Sequence, residues 1–191
     1  MDWVRGHGYP VPAVEEISED GTDLIMERIA GPSMVTVLGR RPWTLGQQGR
    51  SLADLHKRLH EIPVPEWIKD APCGRGHRLV HLDLHPLNII LAPTGPVVID
   101  WPNAARGDAN TDIAVTWVLL AAGAIPAGRV RAALMGRGRS ILIKAVLDEF
   151  DVDEIRARLP EVVKWKAEDS HMSAAEREAM WALVDGERGR G

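Results

Sequence analysis

The segment that most restricts the fold of this chain spans residues 79–101 and reads L-V-H-L-D-L-H-P-L-N-I-I-L-A-P-T-G-P-V-V-I-D-W. It contains two apolar runs, residues 88–91 and 96–99, which a short Pro-Thr-Gly segment separates. Apolar runs of this length on either side of a turn sequence predict a β-hairpin. A hairpin brings its open ends together, so the residues before the first run are expected beside those that follow the second.

Polar side chains occupy both open ends of this predicted hairpin. His81, Asp83, His85 and Asn88 precede the first run or begin it, and Asp100 follows the second. We therefore expect Asp83, Asn88 and Asp100 to share one pocket. Mg²⁺ prefers oxygen ligands and usually takes one or two carboxylates plus substrate phosphates, which the oxygens of Asn88 and Asp100 suit. Asp83 stands five residues before Asn88, the spacing of a kinase catalytic loop, and would accept the proton of an attacking hydroxyl.

The motif H-L-D-L-H-P-L-N, followed by V-V-I-D-W, resembles the aminoglycoside phosphotransferase and choline kinase-like family, which is related to the protein kinases. The resemblance implies an α+β, protein kinase-like fold whose mainly helical C-terminal lobe carries a catalytic β-hairpin. It implies a phosphotransferase that uses ATP or GTP, with Mg²⁺, to phosphorylate a hydroxyl of a small molecule. In that reading Asp83 is the catalytic residue, and Asn88 and Asp100 bind the metal.

Two further residues would support the catalytic loop. The resemblance implies that His81 braces the loop. It also identifies the segment G-D-A-N-T-D-I-A at residues 107–114 with a family pattern that follows the metal-binding aspartate. Within it, Asp112 would turn inward at the start of a helix and accept N–H bonds from the loop. The alternative is that Asp112 is only a first-turn acid that favours the helix dipole.

Residues 23–31, D-L-I-M-E-R-I-A-G, resemble the last strand of the smaller N-terminal lobe and the hinge that follows it. Met26 would lie at the back of an adenine pocket, and the backbone of Glu27 and Ile29 would pair with the purine edge. A plain core methionine is the alternative for Met26.

The family places a phosphate-covering loop and a strand lysine before the hinge, whereas the first lysine of this sequence is Lys57. We therefore expect residues 1–31 to be a remnant of the N-terminal lobe and hinge, with most of that lobe absent. Residues 32–185 would form the C-terminal phosphotransferase lobe, and residues 186–191 a flexible tail. Two alternatives stay open. The chain could be a catalytically impaired, truncated relative with a binding role or no enzymatic role, or the true start could lie upstream of Met1.

Histidines offer a competing interpretation. His81, Asp83 and His85 alternate as H-x-D-x-H, which on one face of a strand would also suit zinc, as in a zinc hydrolase. His56 and His60 lie four residues apart, a spacing that can bind metal. Since no carboxylate or cysteine evidently joins that pair, we expect one of them to be packed and the other solvated.

The rest of the chain predicts mainly helices. T-L-G-Q at residues 44–47 and S-A-A-E at residues 173–176 read as capping boxes, the second opening a helix that ends at Gly186. Helical patterns over residues 127–135 and 140–150 are interrupted by G-R-G-R. An acidic patch at residues 148–154 would attract an amine-bearing substrate, or else serve only helix capping and solvation.

Composition bounds the function class. At 191 residues the chain fits one domain, and its net charge of −4 argues against general nucleic-acid binding. The single Cys73 excludes an internal disulfide and fits a cytoplasmic location. We expect no signal peptide, and the longest uncharged segment, residues 113–128, is shorter than the roughly 20 apolar residues of a membrane span. The expected partners are therefore a nucleotide and a small hydroxyl substrate.

Overall fold

The structure of the protein, a computed structural model, describes residues 1–20, 22–123 and 129–189, with the side chains of residues 129–135 outside that description. The helices of the described chain are α1 (Asp2–Gly6), α2 (Met34–Arg40), α3 (Leu45–Glu61), α4 (Ala109–Ala122), α5 (Arg129–Leu147), α6 (Val152–Arg156), α7 (Leu159–Ala167) and α8 (Ala174–Arg188). The strands are β1 (Val14–Ile17), β2 (Leu24–Met26), β3 (Arg78–Val80), β4 (Ile89–Ala92), β5 (Gly95–Val98) and β6 (Ala105–Gly107). The predicted α+β class, mainly helical with small sheets, is confirmed.

The strands pair antiparallel in twos: β1 with β2, β3 with β6, and β4 with β5. The β4–β5 pair is the hairpin predicted from the central segment, with Ile89 opposite Val98 and Ala92 opposite Gly95. Its two-residue turn is followed by Gly95 at a φ of +125°, a left-handed backbone conformation that glycine adopts without steric cost. The hairpin is also connected to the segment that precedes α2, because the Leu91 N–H donates to Pro32 O at 2.9 Å.

The apolar side chains form two core clusters. One surrounds α4, which carries no basic residue and buries side chains on every face, such as Ile113, Val115 and Val118. Helices α6, α7 and α8 pack against it. The other cluster joins α3 to the hairpin, through the apolar stripe that includes Leu52, Leu55 and Leu59. The catalytic loop predicted at residues 81–88 therefore lies between two packed cores. No helix of the described chain is both long enough and apolar enough to cross a membrane.

Two helix starts that the sequence predicts alike turn out differently. Ser173 and Glu176 form the predicted capping box of α8. Thr44 does not cap α3, so that prediction is wrong: its hydroxyl donates instead to Arg41 O at 2.8 Å, inside the 3₁₀ turn that precedes the helix. A residue already held in a turn has helical φ and ψ and is not placed to reach the N–H groups of the next helix.

Two helix boundaries also differ from expectation. The G-R-G-R run at residues 136–139 does not interrupt α5, which is continuous from Arg129 to Leu147. Residues 127 and 128, where the first of the two predicted helical segments begins, lie outside the described residues. Helix α8 continues two residues past Gly186, to Arg188.

The closest helix contact gives a test of this packing. A Cβ atom built on Gly49 of α3 would lie 2.6 Å from the Ala145 Cβ and 3.0 Å from Leu142 O of α5. We expect Gly49→Ala to lower the free energy of unfolding by about 1 to 3 kcal/mol, because overpacking outweighs the gain in helix propensity. Urea denaturation measures this directly.

The matched control is Gly136→Ala, in the interior of α5, where a Cβ atom meets nothing within 4 Å. This substitution is expected to raise stability by about 0.5 to 1 kcal/mol through helix propensity alone. If both variants were stabilised to the same extent, α3 and α5 would not approach each other as closely as described.

Candidate active site

The hairpin places its two polar ends side by side. One step beyond the paired strands, the Ile99 N–H donates to Asn88 O at 3.0 Å. Asn88 therefore lies opposite Ile99, next to Asp100. This pairing gives the juxtaposition that the sequence predicts for the open ends of the hairpin.

Asp83 and Asn88 are in direct contact. The Asn88 side-chain N–H₂ donates to the backbone O of Asp83 at 3.0 Å and to its Oδ2 at 3.1 Å. Both of these oxygens only accept hydrogen bonds, so they fix the orientation of the amide and turn its Oδ1 away from Asp83. Asp100 shares this end of the hairpin but forms no hydrogen bond with Asp83 or Asn88, all three being described residues. Its side chain is exposed.

Backbone strain is concentrated at this site. Leu82, with φ +60°, and Asp100, with φ +67°, are the non-glycine residues of the described chain that have positive φ. Such a conformation costs on the order of 1 to 3 kcal/mol and persists only where surrounding contacts hold it. The first residue directly precedes Asp83, and the second carries the other carboxylate. Functional sites are where strain of this kind is commonly found.

The charge of Asp100 acts on the same loop. Burial lowers the pKa of His85, while the carboxylates of Asp83 and Asp100 oppose that shift and the Lys166 ammonium reinforces it. The His85 Nε2 lies 3.8 Å from Asp83 Oδ2. His85 therefore lies beside Asp83 and within range of the Asp100 charge.

Asp112 is fully buried at the start of α4 and contacts the loop. Its Oδ1 accepts the Leu82 N–H at 2.6 Å, and its Oδ2 accepts from His56 Nδ1 at 3.2 Å and His60 Nε2 at 2.9 Å. Burial would raise the pKa of this carboxyl, but the charge and hydrogen bonds of the two histidines outweigh it and hold the pKa well below its usual value. Asp112 is thus an ionised acceptor that fixes the strained residue before Asp83.

The expectation that one of His56 and His60 is solvated was wrong, since both are buried. The carboxylate that joins the two histidines is Asp112 of α4, which the sequence predicted to support the loop but did not connect with them. Thr116, one turn further along α4, also contacts His56 Nε2 at 2.9 Å and donates to Leu84 O at 2.6 Å. These contacts have hydrogen-bond lengths, so the cluster is a polar network between α3, α4 and the loop.

Within the described part of the chain, His56, His60 and Asp112 are the group of three whose ligand atoms converge closely enough to hold a metal. The alternative set of His81, Asp83 and His85 does not converge in this way. The zinc interpretation of the H-x-D-x-H motif therefore finds no support in the geometry.

His81 is buried and holds the backbone just before Asp100. Its Nε2 donates to Ile99 O at 3.3 Å, and its ring centroid lies 4.6 Å from that of Trp101. Its Nδ1 is buried without a hydrogen-bond partner among the described residues. Burial lowers the pKa of His81, against smaller opposing effects of Asp112 and Asp83.

The residues predicted to form the hinge lie at the end of β2 and directly after it. Met26 is 40% exposed, so the alternative that it is a core methionine is wrong. The Glu27 N–H donates to Ala13 O at 2.8 Å, and its carboxylate accepts the Ala13 N–H at 3.1 Å. The Glu27 N–H is therefore already paired within the strand contact, whereas the sequence predicted that it would be available. Ile29 lies between β2 and α2 and is half-buried.

Lys166 is a site residue that the sequence reasoning missed. This lysine of α7 is buried, and its Nζ donates to Asp83 Oδ1 at 3.1 Å. A sequence signal exists: Leu159, Val162 and Val163 form the inward stripe of α7, and Lys166 occupies the next position of that stripe. A lysine where the pattern calls for an apolar residue indicates a buried charge with a specific partner.

The acidic patch at residues 148–154 is occupied by structural contacts. Its members pair with neighbouring side chains or cap α6: Asp148 with Lys144, Glu149 with Lys57, Asp151 with the N–H groups of Asp153 and Glu154, Asp153 with Arg156, and Glu154 with Asn110. The capping and solvation alternative explains these acids.

The role of the Asp112 carboxylate is open to a stability test. In Asp112→Asn the new side-chain NH₂ group replaces one acceptor oxygen, so at least one of the buried N–H donors loses its acceptor. We expect this substitution to lower the free energy of unfolding by about 3 to 5 kcal/mol. The control is Asp54→Asn on the exposed side of α3, where the carboxylate is 3.9 Å from Arg58 and a change within about 0.5 kcal/mol is expected. If the two variants changed the free energy of unfolding equally, Asp112 would not hold the loop and the two histidines in place as described.

The lowered pKa of His81 predicts a pH dependence. Below the ordinary histidine pKa of about 6.5 the unfolded chain binds a proton at this position that the folded chain excludes, so stability falls as pH falls. His81→Gln removes this group, and between pH 6.5 and 5 it should reduce the slope of unfolding free energy by up to about 1.4 kcal/mol per pH unit. Urea titrations at several pH values give both slopes; identical slopes would contradict the prediction.

Two sequence comparisons match part of the chain. The family model described as "Phosphotransferase enzyme family" matches residues 67–150, which hold the loop, the hairpin and Asp112 but fewer than half of the residues. A thiamine kinase of Escherichia coli (strain SMS-3-5 / SECEC) is 32% identical over 62 residues, covering 32% of this chain and 20% of that enzyme. The chain thus matches about a fifth of that curated relative's length.

Solved structures extend the similarity to most of the chain. A choline/ethanolamine kinase family protein from Mesorhizobium loti has a TM-score of 0.50 at 12% identity, over 97% of this chain and 74% of that one. The choline kinase LicA from Streptococcus pneumoniae has a TM-score of 0.50 at 13% identity, over 98% of this chain and 78% of that one. At such identities the likeness concerns the fold. The resemblance predicted from the sequence is confirmed: the chain has a protein kinase-like fold similar to that of choline kinases, and its residues 67–150 match the phosphotransferase family model.

Proposed function

We propose that this protein is a small-molecule kinase that transfers the γ-phosphoryl group of ATP or GTP to a hydroxyl. The observation that carries this proposal is the contact between Asp83 and Asn88 at the end of the hairpin where Asp100 also lies. The family match over the same residues supports it.

Asp83 would act as the base in this reaction. The acceptor oxygen forms a bond to the γ-phosphorus while the bond to the β–γ bridging oxygen breaks, and ADP or GDP leaves. Asp83 accepts the proton that the hydroxyl loses. Its carboxylate is oriented for this task by Asn88 on Oδ2 and by Lys166 on Oδ1. Positioning of this kind is the main contribution a protein makes to phosphoryl transfer.

The donors at the hairpin end fit Mg²⁺. The Asn88 amide is turned so that its Oδ1 faces away from Asp83, and the Asp100 carboxylate is exposed at the same end. Oxygen donors from one amide and one carboxylate leave room for phosphate oxygens and water, which Mg²⁺ prefers. When bound, the ion would neutralise charge on the nucleotide phosphates. The residues proposed to hold it are Asn88 and Asp100.

The remaining predicted site residues would act by positioning. Asp112 would fix the loop through Leu82, and His81 would hold the backbone before Asp100 through Ile99. Met26, the carbonyl of Glu27 and the backbone of Ile29 would face the purine. In this proposal residues 1–31 supply the nucleotide side of the site, and residues 32–185 supply the catalytic side.

Calorimetry with ATP or GTP in the presence and absence of Mg²⁺ tests the proposal. We expect binding that requires Mg²⁺ and that weakens at least about 10-fold in Asp100→Asn, because one charged metal ligand is lost. Asp185→Asn, an exposed carboxylate on α8, is the matched control and should bind as the wild type does. Asp83→Asn should keep nucleotide binding but lose ADP release in the presence of a panel of hydroxyl acceptors.

The outcomes separate the candidate functions. Mg²⁺-dependent binding together with Asp83-dependent ADP release supports the kinase. Binding without ADP release by any acceptor would favour the catalytically impaired relative. If neither nucleotide bound to the wild-type chain, the kinase proposal would be wrong for this chain, although the fold would be unaffected.

A further inference from the structure

Lys166 brings a buried ammonium group to the catalytic carboxylate. Its Nζ lies 3.1 Å from Asp83 Oδ1 and 4.8 Å from the ring centroid of Trp165, and the residue is 4% exposed. The chain has five lysines, and three of the others are engaged elsewhere: Lys57 with Glu149, Lys69 with Pro102 O, and Lys144 with Asp148. Lys164, the remaining one, is exposed. Lys166 is the lysine that the fold brings to the candidate active site.

Burying the Lys166 ammonium in α7 costs desolvation free energy unless a partner binds its charge. It continues the inward stripe of Leu159, Val162 and Val163, where an apolar side chain would pack without desolvating a charge. The Asp83 carboxylate offsets part of this cost. Asp83 is, however, the residue whose second oxygen is already committed to Asn88 and whose function requires contact with a hydroxyl.

The ammonium group also has room for a further partner. It can donate three hydrogen bonds, and among the described residues it donates one, to Asp83. Lys166 lines a cavity of about 290 Å³ together with Asn103, Trp165, Glu168 and Asp169. Independently of this cavity, a ligand that contacts Asp83 Oδ1 would meet the Lys166 ammonium as well, because that ammonium lies 3.1 Å from the same oxygen.

We propose that Lys166 binds the transferred γ-phosphoryl group during catalysis. This inference rests on the proposed function. A hydroxyl that gives its proton to Asp83 must lie about 3 to 3.5 Å from the phosphorus it attacks. Because the Lys166 ammonium is hydrogen-bonded to the same carboxylate, it would lie close enough to the phosphoryl oxygens to donate a hydrogen bond to them.

The chemistry suits a lysine at this point. Phosphoryl transfer spreads negative charge over the equatorial oxygens of the phosphoryl group, and a cation held in a partly desolvated site stabilises that charge. Lys166 is held by its burial in α7 and by the Trp165 ring, so little reorganisation is needed when the nucleotide arrives. Before the nucleotide binds, the hydrogen bond between Lys166 and Asp83 offsets the charges of both groups.

The test compares two nucleotides that differ in the γ-phosphate. With Mg²⁺ present, calorimetry measures the affinities of AMP-PNP and ADP for the wild type and for Lys166→Met, which keeps an unbranched side chain only one atom shorter and removes its charge. We expect AMP-PNP to bind about 10- to 100-fold more weakly to the variant, the effect of losing one charge-assisted hydrogen bond, and ADP to change less than about twofold. Lys164→Met on the same helix is the matched control and should change neither affinity.

A purely structural role for Lys166 would give a different pattern. It would change both nucleotide affinities equally or leave both unchanged, and either result would overturn the inference while the proposed kinase function stands. If Lys166→Met did not fold, Lys166→Gln, which retains an N–H donor for Asp83, would carry the same comparison. If the wild type bound neither nucleotide, the proposed function would fail first, and this inference would fail with it.

Discussion

The fold and the candidate site both depend on one buried carboxylate, that of Asp112. It lies at the start of α4 and accepts a hydrogen bond from the peptide N–H of Leu82 in the loop. It also accepts hydrogen bonds from the ring nitrogens of His56 and His60 in α3. An ionised carboxylate is costly to bury unless its oxygens are fully hydrogen-bonded, so the three donors are needed together. A single group therefore fixes two helices and the loop relative to one another, and holds Leu82 in its left-handed conformation.

Local patterns were sufficient for the parts of the site that are close in sequence. The β4–β5 hairpin follows from two apolar runs around a turn, and its register places Asn88 beside Ile99 without any tertiary information. The capping box of α8 is likewise a contact within four residues, Ser173 to Glu176. Asp112 was found because a family motif marks it, since nothing in its immediate neighbours requires it to face inward.

Contacts between distant elements were beyond the sequence. His56 and Asp112 are 56 residues apart, and Lys166 and Asp83 are 83 apart, so no spacing rule joins them. The burial of both histidines follows only once side chains of α4, Asp112 and Thr116, contact them. Thr44 shows the same limitation at short range, because the preceding 3₁₀ turn takes its hydroxyl. Periodicity can show that a polar residue faces inward, as for Lys166, but tertiary packing determines its partner.

The burial of the hydrogen bond between Leu82 and Asp112 predicts that amide hydrogen exchange differs between parts of the molecule. Leu82 and Asp112 are both fully buried, so we expect their hydrogen bond to open only when α4 separates from the loop. The residues of β2 are instead exposed along the whole strand. Slow exchange is thus expected at the Leu82 amide and fast exchange along the hinge side. Local opening is therefore expected to begin near β2, while the loop that carries Asp83 stays closed.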